Sequence, residues 1–174
     1  LHLLSRRQRQ MCIRDRMQEE TVDLYELTED IGDTLLHSAQ KKDITMKIEG
    51  ITQEITGVRQ ILYEMLYNLM DNGIKYNVEH GKLWVRMWKT ADKIYWQVED
   101  TGIGIAKDEQ ERIYERFYRV DKSHSRQTGG TGLGLSIVKH AAAYHDAKIQ
   151  LDSQLGRGTR VRVLFPLSQR EAQP

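Results

Sequence analysis

Apolar positions fall in two alternating regimes along the chain, one with helical spacing and one with strand spacing. Leu27, Ile31, Leu35, Leu36 and Ala39 recur every three to four residues, which predicts a helix over Tyr25 to Ala39, after a short edge strand at Thr21 to Leu24. Ile44, Met46 and Ile48 alternate with polar residues as in a half-buried strand, and Gly50 marks a turn before a second short strand near Thr52 to Ile55. A long helix is expected over Val58 to Tyr76. Leu83 to Lys89 and Lys93 to Glu99 then read as two strands, joined by a connection short enough for an antiparallel hairpin. A glycine-rich stretch, a helix over Leu133 to Tyr144 and strands over Ala147 to Ser153 and Thr159 to Phe165 follow, with Gly156 and Gly158 at the last turn. Helices set among strands that are partly joined by hairpins favour one mixed, mainly antiparallel sheet with helices on one face, a two-layer α/β sandwich. Residues 1 to 18 fit neither period and read as a helical remnant or a non-native segment.

Composition narrows the function. At 174 residues with 39% hydrophobic positions, the chain is sized for a single core. Its 26 basic and 25 acidic residues nearly cancel, so no overall field attracts nucleic acid or anionic lipid, and any basic site is local. One cysteine cannot form an internal disulfide, which fits a reducing, cytoplasmic setting. No apolar run approaches the length of a membrane span, so no membrane contact is expected of these residues.

The long helix carries the clearest chemistry. At about 100° per residue, Glu64, Asn68, Asn72 and Lys75 fall within an arc of roughly 80°, while Leu62, Met65, Leu66, Leu69 and Met70 take the neighbouring side. Amides one turn apart offer neutral oxygens to a hard cation, and a lysine beyond them offers a point charge to phosphate. A solvated face would account for Glu64 and Lys75 alone. Two mid-helix asparagines on one stripe need a reason other than helix propensity.

Two glycine segments follow. Asp100 ends a strand and precedes TGIGI, where Gly102 and Gly104 allow close backbone approach and the carboxylate can accept from an amine such as that of adenine; a plain Asp-Thr-Gly turn is the alternative. The second segment, GGTGLGLS, sets Gly129, Gly130, Gly132 and Gly134 at the mouth of a helix, where backbone N–H groups favour an anion. It has neither the GxxxxGK[ST] nor the GxGxxG spacing, so a Walker-type site is not expected. Between the segments lies ERFYRVD, whose Phe117 and Tyr118 suit anchors of a mobile lid and whose arginines suit a terminal phosphate.

These pieces, in this order, resemble the catalytic ATP-binding domain of sensor histidine kinases over about residues 19 to 168. The N box resembles EMLYNLMDNGIKYN, the first glycine box DTGIGI, the F box ERFYRVD, the second glycine box GGTGLGLS and a third GRGT. The run DKSHSRQTGGTGLGLSIVKHAA further resembles sensor kinases of the phosphate-regulon type. The resemblance implies a Bergerat-type sandwich, with ATP and Mg²⁺ as cofactors. Asn72 would be the metal ligand, Asn68 would lie near metal and phosphate, and Lys75 would meet phosphate. Tyr76 would flank adenine, Asp100 would bond its amine, and Arg119 would meet the γ-phosphate. Gly102, Gly104 and Ile105 would shape the base pocket. Gly130, Thr131, Gly132, Leu133 and Gly134, with Tyr118, would belong to the lid and its hinge, and Glu64 would be a catalytic helper.

Hydrolases of the gyrase and chaperone type resembling this fold carry a water-activating glutamate four residues before the metal-binding asparagine. Asn68 stands there, and an amide cannot act as a general base, which favours phosphoryl transfer over hydrolysis. The family's acceptor histidine lies in a His-Glu/Asp-x-x-x-Pro type motif. None of the six histidines qualifies; His145 precedes Asp146 but has Gln150 where proline belongs. The expectation is a catalytic domain over 19 to 168, with a short tail over 169 to 174. The acceptor would come in cis or trans from a dimerisation domain, and a response regulator would act through a full-length, homodimeric, membrane-anchored parent. An anti-sigma-factor-like serine kinase and a non-catalytic ATP-binding module are the other functions compatible with these residues.

Overall fold

The computed structural model describes residues 18–118 and 132–167. Strand β1 (Glu20–Asp23) runs straight into helix α1 (Leu24–Gln40), because Asp23 at the junction turns its Oδ1 onto the N–H groups of Tyr25 (2.8 Å) and Glu26 (3.4 Å). Leu24, Leu27, Ile31, Leu35 and Ala39 are almost wholly buried, as their spacing requires. Strands β2 (Thr45–Glu49) and β3 (Glu54–Gly57) lead to α2 (Arg59–Lys75). Strands β4 (Lys82–Lys89) and β5 (Lys93–Asp100) form the expected hairpin, closed where the Thr90 N–H donates to Lys93 O. A 3₁₀ turn (Arg112–Tyr114), α3 (Gly134–Tyr144), β6 (Lys148–Gln154) and β7 (Gly158–Pro166) complete the described elements.

Five strands make one sheet in the order β2-β4-β5-β7-β6. Only β2 and β4 pair in parallel, and the connection between them holds β3 and α2, long enough for a crossover. The helices lie on one face. Leu83, Val85 and Met87 of β4, Ile94, Trp96 and Val98 of β5, and Val161, Val163 and Phe165 of β7 point into the helical layer as every second residue of their strands. Each large aliphatic side chain buried there contributes about 1.5–3 kcal/mol. On the opposite face Trp88 stacks on Tyr95, Arg160 pairs with Glu99 at 2.7 Å, and the Arg162 Nε donates to Gln97 Oε1.

The expected single sheet needs one correction. β1 and β3 form their own two-stranded antiparallel ribbon. Each enters a helix within two residues of its end, so neither can reach an edge of the main sheet; the ribbon instead ties the N-terminal ends of α1 and α2 together. β3 also starts two residues later than its apolar pattern suggests; just before it Gln53 is buried, and its carbonyl accepts from Leu24 N–H.

Candidate functional site

The nucleotide-type residues converge where the C-terminal half of α2, the end of β5, the start of α3 and the β6–β7 turn meet. On α2 the stripe is as the spacing predicts: Glu64 is exposed, Asn68, Asn72 and Lys75 are half-buried, and the core side holds Leu62, Met65, Leu66 and Leu69. The Asn68 Nδ2 donates to Glu64 O at 2.6 Å, which turns its Oδ1 toward α3: a Cβ on Gly134 would sit 2.7 Å from that oxygen. Gly134 is therefore a glycine because α3 starts directly against the Asn68 amide. The Asn72 amide makes no hydrogen bond among the described residues, which leaves its oxygen for a ligand. Glu64 accepts from Gln60 on the solvent side, and its carbonyl orients Asn68.

At the end of α2, Lys75 lies over the Tyr76 ring at 5.8 Å. Burial pushes the Asp71 carboxyl up, opposed by the Lys75 charge. Tyr76 closes the helix and is 40% exposed, an open aromatic face beside the first glycine segment. The Ile103 N–H donates to Tyr76 O, and a Cβ on Gly102 would collide with that same oxygen and lie 2.8 Å from Asp100 Oδ1. Gly104, at φ +68°, lies so close to the end of β6 that an added Cβ would collide with the carbonyl of Gln154. The two glycines thus let the segment press against the end of α2 on one side and the end of β6 on the other.

Asp100 is the best-defined group. Its Oδ1 accepts from Gly102 N–H at 2.8 Å and from Thr159 N–H at 3.3 Å, while Oδ2 makes no hydrogen bond among the described residues. Burial raises its pKa to about 6, the two backbone donors only partly opposing this. Oδ1 is fixed by the protein, and Oδ2 remains as an acceptor. The N–H of Ile105 donates to Ser153 Oγ at 2.9 Å, which pins the far end of the segment.

Beyond the gap in the described residues, Gly132, at φ +72°, accepts at its carbonyl from Phe117 N–H, 2.9 Å away, and Leu133 precedes α3 as its N-cap. Tyr118 donates to Glu109 Oε2 and lies under the Arg112 guanidinium at 4.2 Å. Of the two aromatics of this segment, Tyr118 has these contacts, whereas Phe117 is 73% exposed. Arg119, Gly130 and Thr131 lie outside the described residues.

Four residues that sequence reasoning assigned no role organise the site. Buried Asn77 donates from Nδ2 to Gly73 O and Lys82 O and accepts at Oδ1 from Val78 N–H and the Thr101 hydroxyl, so it clasps the end of α2 to β4 and to the first glycine segment. Ser153 joins Ile105, Gly158 and Thr159, and Gln110 donates to Ile105 O and Ser153 O. Lys42 donates to Ile74 O (3.3 Å) and Lys75 O (2.5 Å) at the C-terminus of α2. An asparagine just past a helix end is a weak capping signal in sequence; Lys42 has only distant partners, and Ser153 and Gln110 join near neighbours to residues more than 40 positions away, which no local pattern marks.

Residues 57–169 match the family described as histidine kinase-, DNA gyrase B- and HSP90-like ATPases. Among curated proteins, the chain is 42% identical over 130 residues to the sensor-like histidine kinase SenX3 of Mycolicibacterium smegmatis, covering 74% of this chain and 34% of that one. It is 38% identical over 116 residues to the phosphate regulon sensor protein PhoR of Pseudomonas aeruginosa, covering 67% of this chain and 26% of that one. The fold is similar to the solved catalytic domain of histidine kinase ThkA, with a TM-score of 0.75 at 24% identity, covering 86% of this chain and 96% of that one. The chain spans about a third of the length of SenX3.

Proposed function

The chain belongs to the histidine kinase-, DNA gyrase B- and HSP90-like ATPase family, and from that premise we propose that it is the ATP-binding catalytic domain of a sensor histidine kinase, which passes the γ-phosphoryl group to a histidine on a separate dimerisation domain. The observation that carries this reading is the single stripe on α2, where Asn68 holds the position at which the hydrolases place a water-activating glutamate. An amide neither accepts nor gives a proton at neutral pH, so the site is suited to positioning and charge neutralisation rather than to activating water.

In this reading Asp100 Oδ2 accepts from the adenine amine, Tyr76 covers the base, and Gly102, Gly104 and Ile105 bring backbone against it. Asn68 and Asn72 would hold Mg²⁺ with phosphate oxygens. Their neutral amide oxygens suit a hard cation, and among the described residues no cluster of three or more His, Cys, Asp or Glu competes for one. Bound there, the ion would supply charge neutralisation on the phosphates. Lys75 and Arg119 would add point charges, Gly130, Thr131, Gly132, Leu133 and Gly134 would close over the phosphates, and Tyr118 would brace that segment. Glu64 stands one turn from Asn68 and, through its carbonyl, sets the Asn68 amide. The acceptor histidine nitrogen is nucleophilic when neutral, so transfer needs alignment more than acid–base help.

The partners proposed are ATP, the acceptor-bearing dimerisation domain in cis or trans, and a response regulator served by a homodimeric, membrane-anchored parent acting in the cytoplasm. No helix among the described residues is long and apolar enough to cross a membrane. ATP should bind more tightly with Mg²⁺ than without it. Offered a histidine hairpin and a serine protein substrate, the domain should yield an acid-labile product on the hairpin. Label on serine alone would replace this reading with a serine kinase, and binding without any transfer would reduce it to a nucleotide-binding module.

A further inference from the structure

The N-terminus of α2 has no cap of its own. Its N-cap residue is Val58, whose side chain cannot accept a hydrogen bond. The acceptor comes from 87 residues away: the Val58 N–H donates to Nε2 of His145 at 3.2 Å. The other ring nitrogen, Nδ1, lies 2.8 Å from Ala141 O, a carbonyl that can only accept, so Nδ1 carries the proton and Nε2 the lone pair. The ring is seated as well as bonded. A Cβ on Gly57 would stand 2.6 Å from its Cδ2, and Tyr144 meets it edge-on at 5.1 Å.

His145 is also the residue that ends α3. α3 therefore touches α2 at two defined points, through Gly134 against Asn68 at its start and through His145 on Val58 at its end. Val58 to Asn68 spans about 15 Å of helix and Gly134 to His145 about 16 Å, so the two contacts lock an antiparallel pair of matched length. Val58 begins the helix that carries the amide stripe, and Gly134 begins the helix that follows the second glycine segment.

We infer that His145 is a positioning residue for the phosphate half of the nucleotide site: its neutral Nδ1–H imidazole caps α2 and fixes the register of α3, which keeps Gly134 opposite Asn68. This rests on the nucleotide reading above. It separates the two ends of the ligand, because the adenine end is held by Asp100, Gly102 and Tyr76, none of which touches His145.

Binding of Mg·ATP and of adenosine, followed by NMR on the whole chain, tests it. His145→Ala should weaken ATP on the order of fivefold, the scale of a lost helix cap, and leave adenosine within about twofold. His145→Gln, which can still present an acceptor to Val58, should recover most of the loss. Val163→Ala, a buried change in the middle of β7 that lowers stability and lies in neither α2 nor α3, should alter neither ligand. Unchanged ATP affinity in His145→Ala overturns the inference, and so does an equal loss of ATP and adenosine. Wild-type protein that binds neither ligand refutes the nucleotide reading and this inference with it. Independently of any variant's folding, ¹⁵N shifts of the wild-type ring should show Nδ1 protonated and Nε2 bare; the reverse tautomer rules the cap out.

Discussion

At Asp100, burial and hydrogen bonding pull against each other. Two backbone donors favour its charged form, yet burial holds its pKa at about 6, well above an ordinary carboxyl. The folded chain thus binds this proton more tightly than the unfolded chain. The group's contribution to stability is complete below about pH 4 and is lost as pH rises through about 6, so near neutrality the ionised carboxylate destabilises the fold. Asp100→Asn keeps an oxygen for Gly102 and Thr159 but replaces the acceptor Oδ2 with an amide donor. The variant should be more stable than wild type at pH 7 by about 1–2 kcal/mol, with a flatter pH dependence between 4 and 6 in denaturant melts, and should bind ATP at least about tenfold more weakly by calorimetry. Lower stability at pH 7 would contradict the burial argument, and unchanged affinity would contradict the adenine contact. The carboxylate and its glycines were legible in DTGIGI; what Gly102 avoids, the Tyr76 carbonyl, was not, because that clash exists only once α2 and β5 are side by side.

Helix α2 is held mainly by residues outside it. Lys42 satisfies the carbonyls of Ile74 and Lys75 at its end, a favourable place for a cation, and Asn77 clasps its last turn to β4 and Thr101. Because Asn77 is buried, its removal takes the side-chain donor from the Gly73 carbonyl and leaves Lys82 O with the Thr101 N–H alone. Asn77→Ala should cost about 2–3 kcal/mol in urea unfolding and weaken ATP, since the first glycine segment loses one of its ties to the end of the helix; a loss below about 0.5 kcal/mol would show that water replaces the amide. The extent and polar stripe of α2 followed from periodicity alone, Leu62 through Met70 marking the core side. The capping residues did not, since Lys42 and His145 reach it from distant parts of the chain.

Across the whole molecule, the site lies where the helical layer meets the end of β5 and the start of β7, and the layers themselves were legible from spacing. The separate β1–β3 ribbon and the parallel β2–β4 pair were not, because strand partners depend on which edge each connection can reach. A ligand that bridges α2, β5 and the β6–β7 turn should stabilise the fold as one unit. ATP with Mg²⁺ at a hundredfold excess over its dissociation constant should add about 2.7 kcal/mol and raise Tm by roughly 5–10 °C in a thermal melt. No shift would mean that the three elements do not share a ligand.

The Phe117–Gly132 hydrogen bond bears on how such domains diversify. It brings the two ends of an intervening segment together before any ligand is considered, and Tyr118 and the start of α3 are each fixed by contacts of their own. Lengthening a chain whose ends are already joined adds a loop-closure cost of about 0.6 kcal/mol for each doubling. An eight-residue Gly-Ser insertion between 124 and 128 should therefore leave the melting temperature within a few degrees in a thermal melt. The joined ends, rather than the length of chain between them, then set what a change there costs the fold.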